Sequence, residues 1–99
     1  MAVLVIEMST SSIKVMAVDA KCDIICEFSE RIGISSDGVQ QPDEICAAVL
    51  RMGRKTIELY SQSDPATEIT AIGIVSTWHN SLVVDAAGNA RTPSYTWTY

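Results

Sequence analysis

Val3-Leu4-Val5-Ile6-Glu7-Met8-Ser9-Thr10-Ser11-Ser12-Ile13-Lys14-Val15-Met16-Ala17-Val18-Asp19 consists of two apolar runs joined by four consecutive hydroxyl-bearing residues. Both runs are rich in β-branched residues and about as long as a strand, which predicts a β-hairpin. Turns in solvent more often use Gly, Asn, Asp or Pro. Hydroxyls and backbone N–H groups in a tight turn, with the charge of Lys14 nearby, are typical of an anion site. The stretch therefore predicts a hairpin that holds phosphate, and the alternative is an ordinary Ser/Thr turn between two core strands.

Composition narrows the class of protein. The 99 residues form one domain at most, and 47% of them are hydrophobic, which is enough for a core. No apolar tract approaches the length of a membrane span, and no basic segment of a signal peptide precedes the first strand, so no membrane partner is expected. A net charge of −5 argues against a nucleic-acid surface.

The cysteines indicate the compartment. Cys22, Cys26 and Cys46 are odd in number, and their spacing is unlike that of a zinc or redox motif. They are expected to be reduced thiols, buried or half-buried, in a cytoplasmic protein.

The remaining pattern predicts a third strand, a helix and a fourth strand. Apolar and polar residues alternate over 24–32, as in an antiparallel strand near a sheet edge, and 33–41 is expected to be a loop across one end of the sheet. Pro42 begins a helix with acidic residues in its first turn, and the helix should end at 61–64, before Pro65.

The helix and the segments after it complete the predicted fold. Apolar residues at helical spacing form a stripe toward the sheet, namely Ile45, Val49, Met52, Thr56 and Leu59 or Tyr60, and Gly53 suggests close packing. Residues 71–75 are predicted to form a fully buried strand parallel to the first, and 82–84 and 95–97 a second hairpin. The order β-β-β-α-β followed by a hairpin is an α/β, ribonuclease-H-like (actin-like ATPase) core, present as a partial domain.

The first hairpin resembles the first phosphate motif of the sugar kinase and actin-like ATPase superfamily. In that motif a strand ends in Asp-x-Gly-Thr-(Ser/Thr)-Ser, and the next strand carries Lys or Arg. The matching positions here are Glu7, Ser9, Thr10, Ser11, Ser12 and Lys14. Glu7 replaces the Asp and keeps its charge, whereas Ser9 replaces a Gly and adds a Cβ where backbone approaches phosphate. The resemblance implies that Glu7 holds Mg²⁺ through water and that Thr10, Ser11, Ser12 and Lys14 face the phosphates of ATP.

The last third of the chain resembles the sugar-binding stretch of the FGGY carbohydrate kinases. That stretch has a buried strand, a turn of the Gln-Met-His type, a strand ending in Asp, a Gly-containing turn, and then Pro and Trp-x-Asp. The positions that match it are Trp78, His79, Asp85, Gly88, Pro93 and Trp97. Tyr99 occupies the place of the final aspartate, and 37–42 resembles the Gly-x-x-Glu-Gln-x-Pro sequence before the first long helix. The resemblance implies sugar contacts from Thr77, Trp78, His79 and Trp97, while the strand-end residues Asp19 and Asp85 are assigned to turns.

The two resemblances together imply that residues 1–99 are the N-terminal part of domain I of an FGGY-type kinase. Such an enzyme transfers the γ-phosphoryl group of ATP, with Mg²⁺, to a hydroxyl of a sugar or sugar acid. The family's catalytic aspartate and C-terminal nucleotide-binding domain lie outside this chain, so no catalytic residue and no phosphotransfer are expected from it alone. The expected partners are the substrate and either the remainder of the kinase or a second copy.

Two alternatives to the kinase remain open. One is a non-catalytic module of the same fold that binds a sugar or a protein, which the departures at Glu7, Ser9 and Tyr99 favour. The other is an actin-like scaffold domain in which the hairpin serves structure only.

Overall fold

The computed structural model describes residues 1–77 and 79–99. Its main sheet has four strands and is covered on one face by a single helix. In chain order the elements are β1 (Ala2–Met8), β2 (Ser12–Asp19), β3 (Ile24–Arg31), β4 (Val39–Gln40), α1 (Pro42–Ser63), β5 (Ile69–Val75) and β6 (Ser94–Tyr95). The main sheet has the order β3-β2-β1-β5, and β4 pairs with β6 in a separate two-stranded sheet. This arrangement confirms the predicted α/β class and the β-β-β-α-β core.

The first hairpin forms as predicted. β1 and β2 pair antiparallel, with Glu7 opposite Lys14 at the end next to the hydroxyl-rich tip. Alternate residues face the helix, so Leu4, Ile13 and Val15 are almost fully buried. Burial of one such aliphatic side chain stabilises the fold by about 1.5–3 kcal/mol, which makes this hairpin the centre of the core.

β3 is an edge strand, as predicted, but its pairing with β2 is interrupted. Ala17 pairs with Cys26 and Val18 with Ile24, so Ile25 is an extra residue in a β-bulge. Cys26 and Phe28 are half-buried, whereas Ile24 is 54% exposed. The prediction of one regularly buried face is wrong at Ile24, because the bulge breaks the alternation of side chains.

The turn between β2 and β3 confirms the assignment of Asp19. Its Oδ1 accepts hydrogen bonds from the backbone N–H groups of Lys21 and Asp23, both at 2.9 Å. Cys22 lies in this turn with a φ of +66°, in the left-handed region that favours glycine.

The helix begins and ends where the sequence predicts. Its buried face comprises Ala48, Met52, Gly53, Thr56 and Tyr60, while Ile45 and Val49 are partly buried. Leu59 is 37% exposed, so Tyr60 is the residue that completes the apolar stripe. An ion pair outside the core links the helix to the edge strand, since Arg51 donates to both carboxylate oxygens of Glu30 at 2.8 and 2.9 Å. The hydrogen bonds from Arg51 lower the pKa of Glu30 below its ordinary value.

Gly53→Ala should stabilise the protein by about 0.5–1 kcal/mol, because glycine in a helix interior loses more backbone entropy on folding than alanine. A Cβ at Gly53 would lie 3.9 Å from Leu4 Cδ2, which is an ordinary contact and leaves room for a methyl group. The midpoint of urea unfolding should therefore rise. A lower midpoint would instead support the close packing that the sequence suggests at this position.

β5 runs parallel to β1, as predicted, yet it is not buried. Ile72 is 61% exposed, Ile74 65% and Val75 56%. The prediction of a fully buried strand is wrong, because α1 packs mainly against β1, β2 and β3 and β5 is the uncovered edge of the sheet.

The C-terminal segment also differs from the prediction. In the described residues, single bridges join Ser81 to Tyr95 and Val84 to Ala90, and β6 pairs with β4 instead of with 82–84. The predicted second hairpin is therefore reduced to a looped connection. The predicted loop 33–41 correspondingly contains β4, whose two residues are too few to produce a periodic signal.

The structure tests the predicted burial of the cysteines and the expected absence of a membrane span. Cys22, Cys26 and Cys46 are free thiols, but Cys22 and Cys46 are exposed, which contradicts their predicted burial. Over 1–77 and 79–99, no helix combines the length and apolar character that a bilayer crossing needs.

Candidate functional site

The tip between β1 and β2 is a tight turn closed by its own serines. Ser9 donates from its backbone N–H to the carbonyl of Ser12 at 2.9 Å. The Ser9 hydroxyl lies 3.1 Å from the same carbonyl oxygen and 2.8 Å from the Ser12 hydroxyl. Thr10 and Ser11 lie at the apex and take no part in these bonds. The hydroxyls of Thr10 and Ser11 are therefore not used to close the turn, which leaves them for contacts outside it.

Groups from later in the chain hold the tip in place. Gln40, which is only 3% exposed, donates from Nε2 to the carbonyl of Thr10 at 2.7 Å. Trp97 Nε1 lies 3.4 Å from the Thr10 hydroxyl. The backbone N–H of Ile32 donates to the carbonyl of Ser11 at 3.0 Å. The predicted phosphate hairpin and the predicted sugar residue Trp97 are thus neighbours in space.

The contact with Trp97 depends on Gly38. The Gly38 carbonyl accepts from the backbone N–H of Thr96 at 3.0 Å and from its hydroxyl at 2.7 Å. Gly38 has a φ of +81°, which glycine adopts without the steric cost that a Cβ brings. Together with the β4–β6 pairing, these bonds anchor the last residues of the chain beside the tip.

Glu7 and Lys14 occupy the face of the sheet opposite the helix. They pair across β1 and β2, and they alternate with the buried residues Ile6, Ile13 and Val15. Glu7 is exposed and Lys14 is half-buried. One acidic and one basic residue are thus register partners on this face, each one residue away from the hydroxyl tip.

A cavity of about 420 Å³ lies where β1 and β5 end and α1 begins. Ser9 and Thr77 follow these two parallel strands and both line it. The crevice at the carboxyl ends of parallel strands is the usual ligand site of open α/β sheets. The lining also includes polar residues that the sequence analysis did not assign to a site, namely Gln40, Asp43 and Asn80. Pattern reasoning missed Gln40 because β4 is too short to give a periodic signal, and it missed Asn80 because that residue lies in an irregular segment. Asp43 had a sufficient explanation in the helix dipole.

The corner after β5 brings two polar side chains together at the cavity wall. Asn80 donates from Nδ2 to the Thr77 hydroxyl at 2.6 Å, and its Oδ1 is buried without a hydrogen-bond partner in the part of the chain that the structure describes. His79 is exposed and has a φ of +58°, and it is not among the described lining residues. The predicted sugar contact at Trp78 lies outside the described residues.

A turn centred on Asp85 forms another part of the wall. Asp85 Oδ1 accepts from the backbone N–H groups of Ala87 at 3.0 Å and Asn89 at 2.9 Å. These hydrogen bonds, chiefly the one from the backbone of Asn89, hold the pKa of Asp85 below its ordinary value. Gly88 and Ala90 belong to the same turn and line the cavity. The assignment of Asp85 to turn chemistry agrees with this geometry.

No preformed metal cage is present in the described residues. Among residues 1–77 and 79–99, no three His, Cys, Asp or Glu side chains are grouped so that they could hold a metal ion. Any Mg²⁺ at Glu7 would therefore need further ligands from beyond these described residues.

Comparison with known families and curated proteins gave no match: no protein-family model and no curated protein resembles this sequence significantly. Comparison with solved structures did. Glycerol kinase from Plasmodium falciparum, solved with ADP, matches 98% of this chain with a TM-score of 0.81 and 20% identity. Ligand-bound xylulose kinase from Lactobacillus acidophilus matches 98% of this chain with a TM-score of 0.77 and 19% identity. Gluconate kinase from the same organism matches 99% of this chain with a TM-score of 0.75 and 19% identity.

The matches cover nearly all of this chain but only part of each kinase. The chain spans 20% of the length of each of these three proteins. At such low identity the likeness concerns the fold. The chain therefore has the fold of the N-terminal region of the actin-like sugar kinases, as a partial domain of that architecture.

Proposed function

We propose that this chain is the N-terminal part of an FGGY-type carbohydrate kinase of the cytoplasm, which transfers the γ-phosphoryl group of ATP to a hydroxyl of a sugar or sugar acid. The observation that carries the proposal is the cavity at the carboxyl ends of β1 and β5. Ser9 from the hydroxyl tip and Thr77 from the corner after β5 both line it. In this proposal the hydroxyl tip supplies the phosphate side of the cavity and the corner after β5 supplies the sugar side. The sugar-kinase fold of the whole chain supports the same interpretation.

The nucleotide side of the proposed site is the tip with its two flanking charges. Thr10, Ser11 and Ser12 would face the phosphates of ATP, and Lys14 would add a positive charge. Mg²⁺ keeps several of its waters and is usually held by one or two carboxylates plus substrate phosphates. The exposed carboxylate of Glu7 fits that requirement without a protein cage. When bound, the ion would neutralise charge on the phosphates, and the protein would contribute mainly positioning.

The sugar side of the proposed site is the corner from Thr77 to His79, with Trp97 nearby. A polyol needs hydrogen-bond donors and acceptors in fixed positions, which the Thr77 hydroxyl and the His79 imidazole would supply. Trp78 and Trp97 would offer ring faces to the apolar C–H surface of the sugar. Trp97 is 65% exposed and lies beside Thr10, so a ligand can reach its ring.

A non-catalytic sugar- or protein-binding module is the second candidate, and one observation favours it. The hydroxyls of Ser9 and Ser12 bond to each other at 2.8 Å, so part of the donor capacity of the tip is used inside the turn. Ser9 also adds a Cβ where the resembled motif has glycine. A module of this kind would bind a sugar without consuming ATP.

The test uses the protein encoded by the whole open reading frame that contains this chain. ADP release is followed in the presence of ATP, Mg²⁺ and a panel of polyols, sugars and sugar acids. His79→Ala should weaken sugar binding about tenfold in calorimetry, which corresponds to about 1.4 kcal/mol, and leave nucleotide binding unchanged. Lys14→Ala should weaken nucleotide binding and leave sugar binding unchanged. Lys21→Ala, at an exposed turn, is the control.

Three results of this experiment have separate meanings. Sugar-dependent ADP release with both selective losses supports the kinase. Sugar binding without ADP release supports the module. Binding of neither ligand class would contradict both proposals.

A further inference from the structure

We infer that Asn80 is a positioning residue for Thr77, whose hydroxyl it makes a hydrogen-bond donor toward the cavity at the carboxyl ends of β1 and β5. The group that Thr77 would bind is an acceptor oxygen on the ligand, such as a sugar hydroxyl or carbonyl oxygen. The inference rests on the proposed function, since it specifies how the sugar side of that site recognises its ligand. Asn80 is not among the positions that the sequence resemblances mark.

The two side chains meet at the corner that follows β5. Thr77 and Asn80 are both partly buried, and both line the cavity. Asn80 donates from Nδ2 to the Thr77 hydroxyl oxygen, and the two atoms lie 2.6 Å apart. Between them, His79 has a φ of +58°, in the left-handed region. The hydrogen bond joins the two ends of this short corner, so it restrains the Thr77 hydroxyl at the cavity wall.

The direction of this hydrogen bond decides what Thr77 can offer a ligand. An amide NH₂ group only donates, so the Thr77 oxygen must accept from it. The hydroxyl proton of Thr77 therefore points elsewhere and is available to an oxygen of the ligand. A carbonyl oxygen in the place of that NH₂ group would take the proton and leave none for the ligand.

The other end of the same amide supports a functional reason for this orientation. Asn80 Oδ1 is buried and has no hydrogen-bond partner within residues 1–77 and 79–99. A buried polar atom without a partner costs free energy, and such atoms are uncommon in folded proteins. Exchanging the two ends of the amide would pair Oδ1 with the Thr77 hydroxyl but would withdraw its proton from the cavity. The observed orientation is the one that keeps Thr77 as a donor.

The test measures ligand binding by calorimetry in the protein encoded by the whole open reading frame, with glycerol, xylitol and gluconate as probes. Asn80→Asp keeps the shape of the side chain, but an ionised carboxylate only accepts. At about pH 8 it should weaken binding of the probe about tenfold, because the carboxylate takes the Thr77 proton. Ser81→Asp is the matched control. It adds the same charge at an exposed neighbour that is not among the described lining residues, and it should leave the affinity unchanged.

Lowering the pH should restore binding in Asn80→Asp. Burial favours the neutral form of the new carboxyl group, whose O–H can donate to Thr77 as the amide does. The affinity of the variant relative to the wild-type protein should therefore recover between about pH 8 and about pH 5. The ratio is used because the other titratable groups of the site belong to both proteins, namely Asp43 and Cys46 in the cavity lining, His79 beside Asn80, and Asp85 in the turn of the wall.

A double-mutant cycle with Thr77→Val separates positioning from a structural role. Without the Thr77 hydroxyl, Asn80→Asp should cause no further loss of affinity at about pH 8. Asn80→Ala introduces no buried charge and should show the same dependence on Thr77. Its loss of affinity should be smaller, about threefold, because the freed hydroxyl must be ordered on binding.

The outcomes separate this inference from the proposed function on which it rests. Losses of equal size with and without the Thr77 hydroxyl would overturn the inference, and so would an Asn80→Asp protein that binds like the wild type at about pH 8. Both of those results would leave the proposed function standing. A wild-type protein that binds none of the probes would contradict the proposed function and the inference together.

Discussion

Gly38→Ala should destabilise the protein by about 3 kcal/mol and detach the C-terminal segment from the hydroxyl tip. A Cβ at this position would lie 2.5 Å from the backbone nitrogen of Tyr99 and 2.7 Å from the carbonyl carbon of Thr98. Backbone atoms cannot move aside as the end of a flexible side chain can. The φ of +81° adds the cost of a left-handed conformation for any residue with a Cβ. Because the Gly38 carbonyl accepts both hydrogen bonds from Thr96, any shift that relieves the clash also weakens that anchor.

Urea unfolding gives the loss of stability, and hydrogen exchange locates it. The backbone N–H of Thr96 should exchange much faster in Gly38→Ala, because its acceptor moves. Gly33→Ala is the control, since a Cβ there meets no atom within 4 Å and should change stability little. An unfolding midpoint for Gly38→Ala equal to that of Gly33→Ala would show that the contact of 98–99 with Gly38 does not contribute to the fold.

Gln40→Leu should cost about 2 kcal/mol, because it removes the donor to the Thr10 carbonyl and leaves that oxygen beside an apolar side chain. Gln40 is 3% exposed, so water cannot readily replace the lost 2.7 Å bond. The tip should become mobile while the core strands remain intact. In the proposed kinase the same change should weaken nucleotide binding, because an anion site depends on a turn held in one conformation.

The neighbouring glutamine provides the control for this experiment. Gln41 is exposed and makes no side-chain hydrogen bond at the start of the helix, so Gln41→Leu should be close to neutral. Chemical denaturation of the two variants, with amide exchange at Thr10 and Ser11, separates the outcomes. Equal stability of Gln40→Leu and Gln41→Leu would mean that the tether to the tip has no energetic weight.

Local sequence was sufficient for the elements whose signal repeats along the chain. The two β-branched apolar runs of β1 and β2 predicted the hairpin, and the spacing of Met52, Thr56 and Tyr60 predicted the helix, both with nearly the observed limits. The same local reasoning assigned Asp19 and Asp85 to turns, where their carboxylates accept backbone N–H groups. These features depend on residues within a few positions of one another, so the local sequence is enough to predict them.

Burial and the composition of the cavity were not predicted in this way. An apolar run such as ITAIGIV predicts a buried strand. β5 is nevertheless exposed, because no described element packs over it. Likewise Gln40 and Asn80 carry no motif, and they reach the cavity only because the chain returns past the ends of β1 and β5. Burial is a property of what packs nearby, which periodicity alone does not encode.

The amino-acid order by itself determined the β-β-β-α-β core, the hydroxyl tip between two apolar strands, and the direction of β5 relative to β1, because strand and helix periods and the right-handed crossover leave few other arrangements. The tertiary structure alone decided that Gln40 and Trp97 meet Thr10, that Ser9 and Thr77 share a cavity, and that β5 is an open edge. Those contacts join residues distant in the chain, and their free energies depend on shape and hydrogen bonding that exist only once the sheet has formed.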